Sequence, residues 1–314
     1  MKNSIPTHTA SLADRRRMLL GGAGLLAACA PRTPVVRPRE TAMTSRPIRA
    51  RTAGSQHGFI RRMVSPGDLG GLLKPFIFLD HLRGEMAAGQ GFPFHPHSGI
   101  ATLSFVLNAD ATYEDTTGAR GVLRARGLEW MQAGGGVWHV GQIQPHERVS
   151  EAFQLWVALP AALEESPAMS LYVPPEEVPV VDGVTVMLGA HGGARSPIPA
   201  VHSMNYLHAE LPRGRRWTYE PPADHDVAWC FVYRGRARVG ADEIADELLT
   251  FEDGHAPLHF DALSDARVLL GSARKHPHPL VLGTSSVHTN RESLVASLDR
   301  IRTIGAGLRR DGRI

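Results

Sequence analysis

The stretch that decides the fold is "GFPFHPHSGIATLSFVLNAD", residues 91–110, in which two histidines precede an apolar run. The run is apolar enough to predict a buried β-strand that ends at the turn-forming "NAD". His95 and His97 are one residue apart, so in an extended chain both side chains point the same way, about 6.5–7 Å apart. Pro96 fixes a backbone dihedral between them and stiffens the pair. This spacing suits two imidazoles that converge on one metal ion, and taken alone it also suits a solvated loop.

Outward from this stretch, the chain from residue 57 onward consists of short apolar runs separated by Gly, Pro, Asp and Asn. That rhythm predicts antiparallel β-structure of the sandwich or barrel type. The segments "HPHSGIATLSFVLNADATYED" and "DHDVAWCFVYRGRARVG" share the order of polar segment, apolar strand, turn and alternating strand. We interpret this as a duplicated jelly roll, the architecture that includes the cupins. The prediction is an all-β chain of two tandem cupin domains, residues 57–165 and 166–314, with a short C-terminal helix beginning near "TNRES".

A third histidine, His139, ends the segment "WMQAGGGVWH". In a jelly roll this strand lies beside the one that carries His95 and His97. Three neutral imidazoles on adjoining strands form a site with open positions for one divalent transition metal. We expect iron, with manganese, nickel, copper and zinc as alternatives. The glycines before His139 predict a tight turn, because no Lys-Ser/Thr pair follows them as a phosphate cradle requires.

The other histidine patterns, and the cysteine of the folded part, are weaker evidence for a metal or catalytic site. His225 has no second histidine two residues on, so we interpret it as structural or solvated. His276 and His278 repeat the spacing of the first pair, but no suitably placed third histidine follows, which favours a proline-rich surface turn. Cys230, within "VAWCFVY", is expected to be a small buried apolar residue rather than a nucleophile.

The N-terminus predicts export. "DRRRMLLGGAGLLAAC" places an arginine triplet before an apolar stretch, residues 18–28, that is too short to span a bilayer. The triplet resembles a twin-arginine signal, and "LAAC" resembles the lipobox of bacterial lipoproteins. We therefore expect residues 1–28 to be a removable signal and Cys29 to carry a lipid that anchors a periplasmic or membrane-attached protein. Residues 29–56, rich in Pro, Arg and Thr, are predicted to be a flexible linker.

The charge balance argues against nucleic acid as a partner. The chain has 34 Lys and Arg and 31 Asp and Glu, of which residues 1–28 hold four and one, leaving 30 of each sign. Further arginines cluster between positions 32 and 51, so the folded body lacks the basic surface that nucleic-acid binding requires.

Four segments together resemble the pirin family of bicupin proteins. They are "FIFLDHLRG", "GFPFHPHSGIATLSFVL", "EWMQAGGGVWH" and "FQLWVALP", and the resemblance extends over about residues 57–300, including "HTNRESLVASL". It implies a non-haem metal in the N-terminal cupin, held by His95, His97 and His139. It also implies that the second cupin has lost its site.

Two positions depart from the family pattern. The resemblance implies a fourth ligand, a Glu, two residues after the last histidine, where this chain has Gly141. It implies another acidic residue where Ala101 stands. A carboxylate supplies charge, a ligand and a base at once, so both departures bear on activity. Water, or a side chain from the segment that follows, would fill the gap at position 141; the side chains considered are Gln142, Gln144, His146 and Glu147.

The resemblance implies two functions of different classes. One is a quercetin 2,3-dioxygenase-like activity on a flavonol or another small phenolic compound, with no obvious base in the site. The other is a non-catalytic metal-binding or interaction protein of the cell envelope. The chain is expected to be a monomer. Oxygen uptake with flavonols separates the two functions.

Overall fold

The computed structural model describes residues 45–314, so the predicted signal and Cys29 lie outside the described residues. The first half contains β1 (Ile48–Thr52), β2 (Ser55–His57), β3 (Ile60–Val64), α1 (Leu69–Leu73), β4 (Phe76–Glu85), β5 (Gly91–His97), β6 (Ile100–Val106), β7 (Ala109–Asp115), β8 (Arg120–Leu123), β9 (Leu128–Gln132), β10 (Val137–Pro145), β11 (Val149–Ala158) and β12 (Met169–Val173). The second half contains β13 (Val180–Val181), β14 (Val184–Leu188), β15 (Ala190–His191), β16 (Ala194–Arg195), β17 (Met204–Leu211), β18 (Arg216–Tyr219), β19 (Val227–Arg234), β20 (Ala237–Val239), β21 (Asp242–Ile244), β22 (Glu247–Phe251), β23 (Leu258–Ala262), β24 (Ala266–Ala273), β25 (Val281–Leu282), β26 (Val287–His288) and α2 (Arg291–Arg310).

Each half is built from one large and one small antiparallel sheet. In the first half the seven-stranded order is β12-β9-β6-β11-β4-β3-β2, and the four-stranded order is β5-β10-β7-β8. In the second half the corresponding orders are β1-β22-β19-β24-β17-β14-β13 and β18-β23-β20-β21, so β1, although it comes first in the chain, belongs to the large sheet of the second half. The predicted all-β fold of two tandem jelly rolls is confirmed, and the two halves repeat each other as the sequence rhythm indicated.

The main core lies between the two large sheets. Because side chains alternate along a strand, Phe153 and Leu155 of β11 point to one face while Gln154 and Trp156 point to the other. Phe153 and Leu155 belong to a single buried cluster that also contains Trp229 and Phe231 of β19. The inward faces of the two large sheets therefore stabilise each other.

The other faces of the two sheets enclose different interiors. In the second barrel they are filled by a dense apolar cluster that includes Cys230, Leu249 and Phe260. In the first barrel the corresponding space is a cavity of about 470 Å³. The first barrel thus has room for a ligand, whereas the described interior of the second is packed, in line with a second cupin that has lost its site.

The predicted boundaries need correction at three places. Residues 48–52 were assigned to the 29–56 linker, yet they form β1 and pair with β22, with alternate residues half-buried. The mixed Arg and Ile composition of β1 hid this alternation. β12 follows the predicted boundary at residue 165 but pairs with β9 of the first barrel. The C-terminal helix α2 is 20 residues long rather than short.

Helix α2 begins as the sequence predicted and packs against the first barrel. The side chain of Asn290 caps it by accepting a hydrogen bond from the Ser293 amide. The indole Nε1 of Trp138 in β10 donates to the Ile301 carbonyl at 2.9 Å. Gly305 permits this approach, because a Cβ there would lie 2.7 Å from the Trp138 ring. Among residues 45–314, no helix is long and apolar enough to cross a membrane.

Candidate metal centre and its cavity

Strands β5 and β10 bring the three predicted histidines together. In their antiparallel register His95 is paired with His139, and Val137 with His97. His97 and His95 share a face of β5, so both rings point into the first barrel with that of His139. One ring nitrogen from each histidine lies within 4.8 Å of the other two. The structure thus assembles, from two adjoining strands, the cluster that the spacing predicted.

Hydrogen bonds fix the orientation of two of the rings. The Nδ1–H of His95 donates to the Pro93 carbonyl at 2.8 Å, and that of His97 donates to the Ser285 carbonyl at 2.9 Å. A neutral imidazole that donates through Nδ1 keeps a lone pair on Nε2. The Nε2 of His139 is buried and has no hydrogen-bond partner among the described residues. Because buried polar atoms are rarely left unpaired, this atom indicates a missing partner, and a metal ion fits it.

The surroundings keep all three rings neutral. Burial lowers the pKa of His97 to about 3, and the adjacent His95 contributes to the same effect. Burial also lowers the pKa of His139 well below its usual value and, to a lesser extent, that of His95. Neutral imidazoles are the form that ligates metals, so the cluster is ready to bind a cation near pH 7.

The cavity leads from this cluster along an aromatic wall. The His97 ring meets the Trp156 ring edge to face at 4.8 Å, and Trp156 stacks on Phe78 at 4.1 Å between centroids. The guanidinium of Arg62 covers the outer face of Phe78 at 4.0 Å and forms an ion pair with Asp80. These packed rings form a continuous aromatic wall beside the histidines.

Gly141 lines the same cavity and leaves space beside the histidines. The pairing of β10 with β7 is regular from His139 to Gly141, so both positions face the same side of the strand. A Cβ at position 141 would have the Thr112 carbonyl, 3.6 Å away, as its one close contact. The departure at Gly141 therefore removes a side chain from the cavity, as the sequence analysis expected.

The expectation that the departure at Ala101 affects the site is wrong. Ala101 is fully buried in the core between the two large sheets and does not line the cavity. The reason is Gly99, whose φ of 69° interrupts the alternation between His97 and β6. Ala101 therefore faces away from the cavity, and the absence of the carboxylate that the resemblance implied at this position does not remove charge from it.

The side chains considered as substitutes for the missing ligand lie elsewhere. His146 and Glu147 are exposed: the Nε2 of His146 lies 3.3 Å from the Asp110 carboxylate, and Glu147 accepts a hydrogen bond from Asn108. Gln144 is outside the cavity, and Gln142 is exposed at its rim. None of the four takes the place of the missing Glu.

Sequence analysis missed a carboxylate that does line the cavity. Glu129 of β9 is 8% exposed and accepts a hydrogen bond from Ser104 Oγ at 2.9 Å. Burial raises its pKa to about 7, and the nearby Asp115 adds to the rise, while the Ser104 hydrogen bond opposes it. The available signal was a lone Glu inside the apolar segment "LEWMQAG", because a buried unpaired carboxylate is rare.

The other residues singled out in the sequence have structural roles. His225 is buried between Ser203 and Ser272, and its Nδ1 lies 2.7 Å from Ser272 Oγ. The prediction of a surface turn is wrong for His276, which is buried with its Nε2 3.0 Å from the Leu159 carbonyl. The prediction of a surface position is correct for His278, which is exposed. Cys230 is fully buried in the apolar interior of the second barrel, as expected.

The fold and the cluster together define a two-barrel protein of the cupin class with a three-histidine cluster in its first barrel. A family profile named Pirin matches residues 60–157. A "Pirin-like protein" of Caulobacter vibrioides is 32% identical over 238 residues, which are 73% of this chain and 86% of that protein. The chain therefore belongs to the pirin family.

Further similarities concern a second relative and two crystal structures. A Pseudomonas aeruginosa protein named "Putative quercetin 2,3-dioxygenase" is 32% identical over 241 residues, 71% of this chain and 84% of its own. A quercetin 2,3-dioxygenase of Acinetobacter baumannii superposes with a TM-score of 0.75 at 21% identity and covers 82% of this chain and 96% of its own. A bacterial pirin of Escherichia coli, crystallised with nickel(II), gives a TM-score of 0.58 at 19% identity over 74% of this chain and 99% of its own.

Proposed function

We propose that this protein is a metal-dependent dioxygenase that acts on a flavonol or a related small phenolic compound. The observation that carries the proposal is the cluster of three neutral histidines at the wall of a cavity of about 470 Å³. That volume is within the range of pockets that bind small organic ligands. The similarity to a relative named for quercetin oxidation supports the choice of substrate class.

In this proposal His95, His97 and His139 hold one divalent transition metal, with iron as our first choice. When bound, the metal supplies a Lewis acid for a substrate hydroxyl and a redox centre for dioxygen. The chain supplies the rest. The aromatic wall that contains Trp156 and Phe78 holds the substrate beside the histidines, and the apolar lining excludes water from it.

We also propose that the protein works outside the cytoplasm. The arginine triplet, the apolar stretch and Cys29 support a lipoprotein that is exported and then anchored at a membrane, with residues 1–28 removed. We propose that the mature protein is a monomer, which sedimentation analysis tests directly. A small phenolic compound that reaches the cell envelope is compatible with this location.

The test begins with elemental analysis of the protein purified without added metal. Oxygen uptake with quercetin is then measured for the wild type and for His139→Ala, with His278→Ala as an exposed-histidine control. We expect about one metal per chain and quercetin-dependent oxygen uptake in the wild type and in His278→Ala, and neither in His139→Ala. Metal binding without oxygen uptake would contradict the dioxygenase and favour the non-catalytic metal-binding protein.

A further inference from the structure

We propose that Glu129 is a catalytic residue that accepts the proton of the substrate hydroxyl as it ionises. This inference rests on the proposed function and adds a base to a site that lacks the usual carboxylate at Gly141. The transfer is simple: the O–H bond of the substrate breaks, an O–H bond forms on a carboxylate oxygen of Glu129, and the substrate keeps the electron pair as an oxyanion. The substrate class is therefore one with an acidic enolic or phenolic hydroxyl.

Strand register places Glu129 on the wall that leads to the histidines. Ser104 of β6 is paired with Glu129 on one side and with Gln154 of β11 on the other, so the three form one row across the sheet. Thr102 and Trp156 form the neighbouring row on the same face, about 7 Å further along the strands. Since the Trp156 ring touches His97, and Trp156 and Glu129 line the same cavity, a ligand that extends along this wall from the histidines reaches the Glu129 row.

The hydrogen bonds of this row indicate a group that holds a proton. Ser104 Oγ lies 2.9 Å from Glu129 Oε2 and 3.0 Å from Gln154 Oε1. A serine hydroxyl has one hydrogen, so it donates to one of the two acceptors only. When Glu129 is protonated, it donates to Ser104, and Ser104 donates to Gln154. A flip of the Gln154 amide gives the matching arrangement for the ionised carboxylate, with Gln154 donating to Ser104 and Ser104 to Glu129. The row thus accommodates both protonation states of Glu129.

The titratable groups around Glu129 favour its protonated form, so its carboxylate accepts a proton readily. Tyr113 and Asp115 of β7 lie across the barrel, and Tyr172 of β12 is paired with Glu129. Among residues 45–314, no Lys, Arg or His forms a salt bridge with Glu129. The guanidinium of Arg62, which also lines the cavity, is paired with Asp80 instead. A carboxylate without a cation partner in a poorly solvated cavity is more basic than a free one and is suited to act as a general base near neutral pH.

Tyr113 also locates Glu129 relative to the gap in the metal site. Tyr113 and Glu129 line the same cavity, one from the small sheet and the other from the large sheet of the first barrel. Tyr113 is directly paired with Gly141 in the β7–β10 register. Glu129 therefore approaches, from the opposite wall, the space that Gly141 leaves open. The chain lacks a carboxylate on β10 and has one across the cavity.

The test compares the wild type with Glu129→Gln, Glu129→Asp and Ser104→Ala, and uses Glu147→Gln as a control that removes an exposed carboxylate outside the cavity. The first measurement is an anaerobic pH titration of quercetin bound to the metal-loaded protein, followed by the absorbance of the ionised flavonol. The second is metal content, and the third is quercetin-dependent oxygen uptake. The first two do not depend on turnover.

We expect Glu129→Gln to keep its metal and bind quercetin, but to ionise the bound flavonol only at a pH higher by about one unit or more. We expect kcat to fall by about 10²–10⁴, the usual contribution of a general base, with a smaller change in KM. Glu129→Asp should recover part of the loss, Ser104→Ala should alter the titration midpoint, and Glu147→Gln should match the wild type.

Three results overturn the inference: an unchanged titration and kcat in Glu129→Gln, loss of metal in that variant, or a wild type that does not ionise bound quercetin. A wild type that ionises quercetin through Glu129 but consumes no oxygen contradicts the proposed dioxygenase and leaves the assignment of Glu129 standing. Failure of the two proposals is therefore distinguishable.

Discussion

His95 and His139 are paired directly across strands β5 and β10, and their ring centroids lie 4.3 Å apart. Two imidazolium ions at this distance in a buried site would repel each other strongly, so both rings stay in the neutral form. A metal ion satisfies both rings without that repulsion. The arrangement does not stabilise the fold, because the buried Nε2 of His139 has no hydrogen-bond partner among the described residues. Ligand binding therefore explains it better than folding does.

Replacing any one of the three histidines by Ala should abolish stoichiometric metal binding. Each of them is one of only three proposed ligands. Its loss should therefore lower the metal affinity by more than the 10–100-fold that is lost when a residue hydrogen-bonded to a metal ligand is replaced. Metal content after gel filtration measures the effect. His278→Ala is the matched control, because His278 is exposed, whereas His225 and His276 are buried and their removal would also disturb packing. Retention of metal by a His95, His97 and His139 triple variant would place the metal elsewhere.

Gly141→Glu should tighten metal binding by about tenfold or more, because a carboxylate adds both a ligand and a negative charge. The substitution fits, since a Cβ at this position has no contact closer than 3.6 Å. Gly141→Gln has the same shape without the charge and should give a much smaller change. Competition with a coloured chelator measures the affinity. Equal affinities for the Glu and Gln variants would show that charge at this position does not reach the metal.

Alternation along strands explains which parts of the site could be predicted. His95 and His97 are two residues apart on β5, and His139 and Gly141 are two residues apart on β10, whose pairing with β7 is regular although its pairing with β5 shifts register, so counting by two gave the face of each pair. Ala101 entered the analysis only through the resemblance, and the positive φ of Gly99 resets the alternation so that Ala101 faces the core. A side chain at Gly99 would place its Cβ 2.0 Å from the Val287 carbonyl, so this break is set by a segment almost 190 residues further along the chain. Sequence alone does not contain that contact.

The resemblance implied that the second barrel has lost its site, but the sequence did not show how the two interiors differ in packing. Both halves have alternating apolar strands, and only the packed structure shows that one interior is filled by Cys230, Leu249 and their neighbours while the other is open. Glu129 was missed for the same reason. Its neighbours in the sequence are apolar, and its function depends on Ser104, which comes from another strand.

Labelling with a palmitate analogue should mark the wild-type protein in a bacterial host and leave Cys29→Ala unmarked. The expectation follows from the arginine triplet, the apolar stretch and the "LAAC" motif in the correct order. Replacement of Arg15 and Arg16 by Lys should stop export of the protein and keep its precursor at full length. Equal labelling of the wild type and Cys29→Ala would contradict the lipid attachment. Cys230→Ala is the control, because that cysteine is fully buried and should not affect labelling.

Glu129 should make the folded protein less stable as the pH rises from about 4.5 to 7. In the folded state its pKa is raised to about 7 from an ordinary 4.5, so between these values the folded chain holds a proton that the unfolded chain has lost. Stability then decreases with increasing pH, and above pH 7 the full cost of ionising the buried carboxyl is present, about 3 kcal/mol. Glu129→Gln keeps the size of the side chain and cannot ionise. It should match the wild type near pH 4.5 and be more stable by up to about 3 kcal/mol at pH 8. Denaturant unfolding of both metal-free proteins across this range measures the difference, and Glu147→Gln, at an exposed position, should show no such trend. A constant difference between Glu129→Gln and the wild type at all pH values would mean that Glu129 ionises normally in the folded protein.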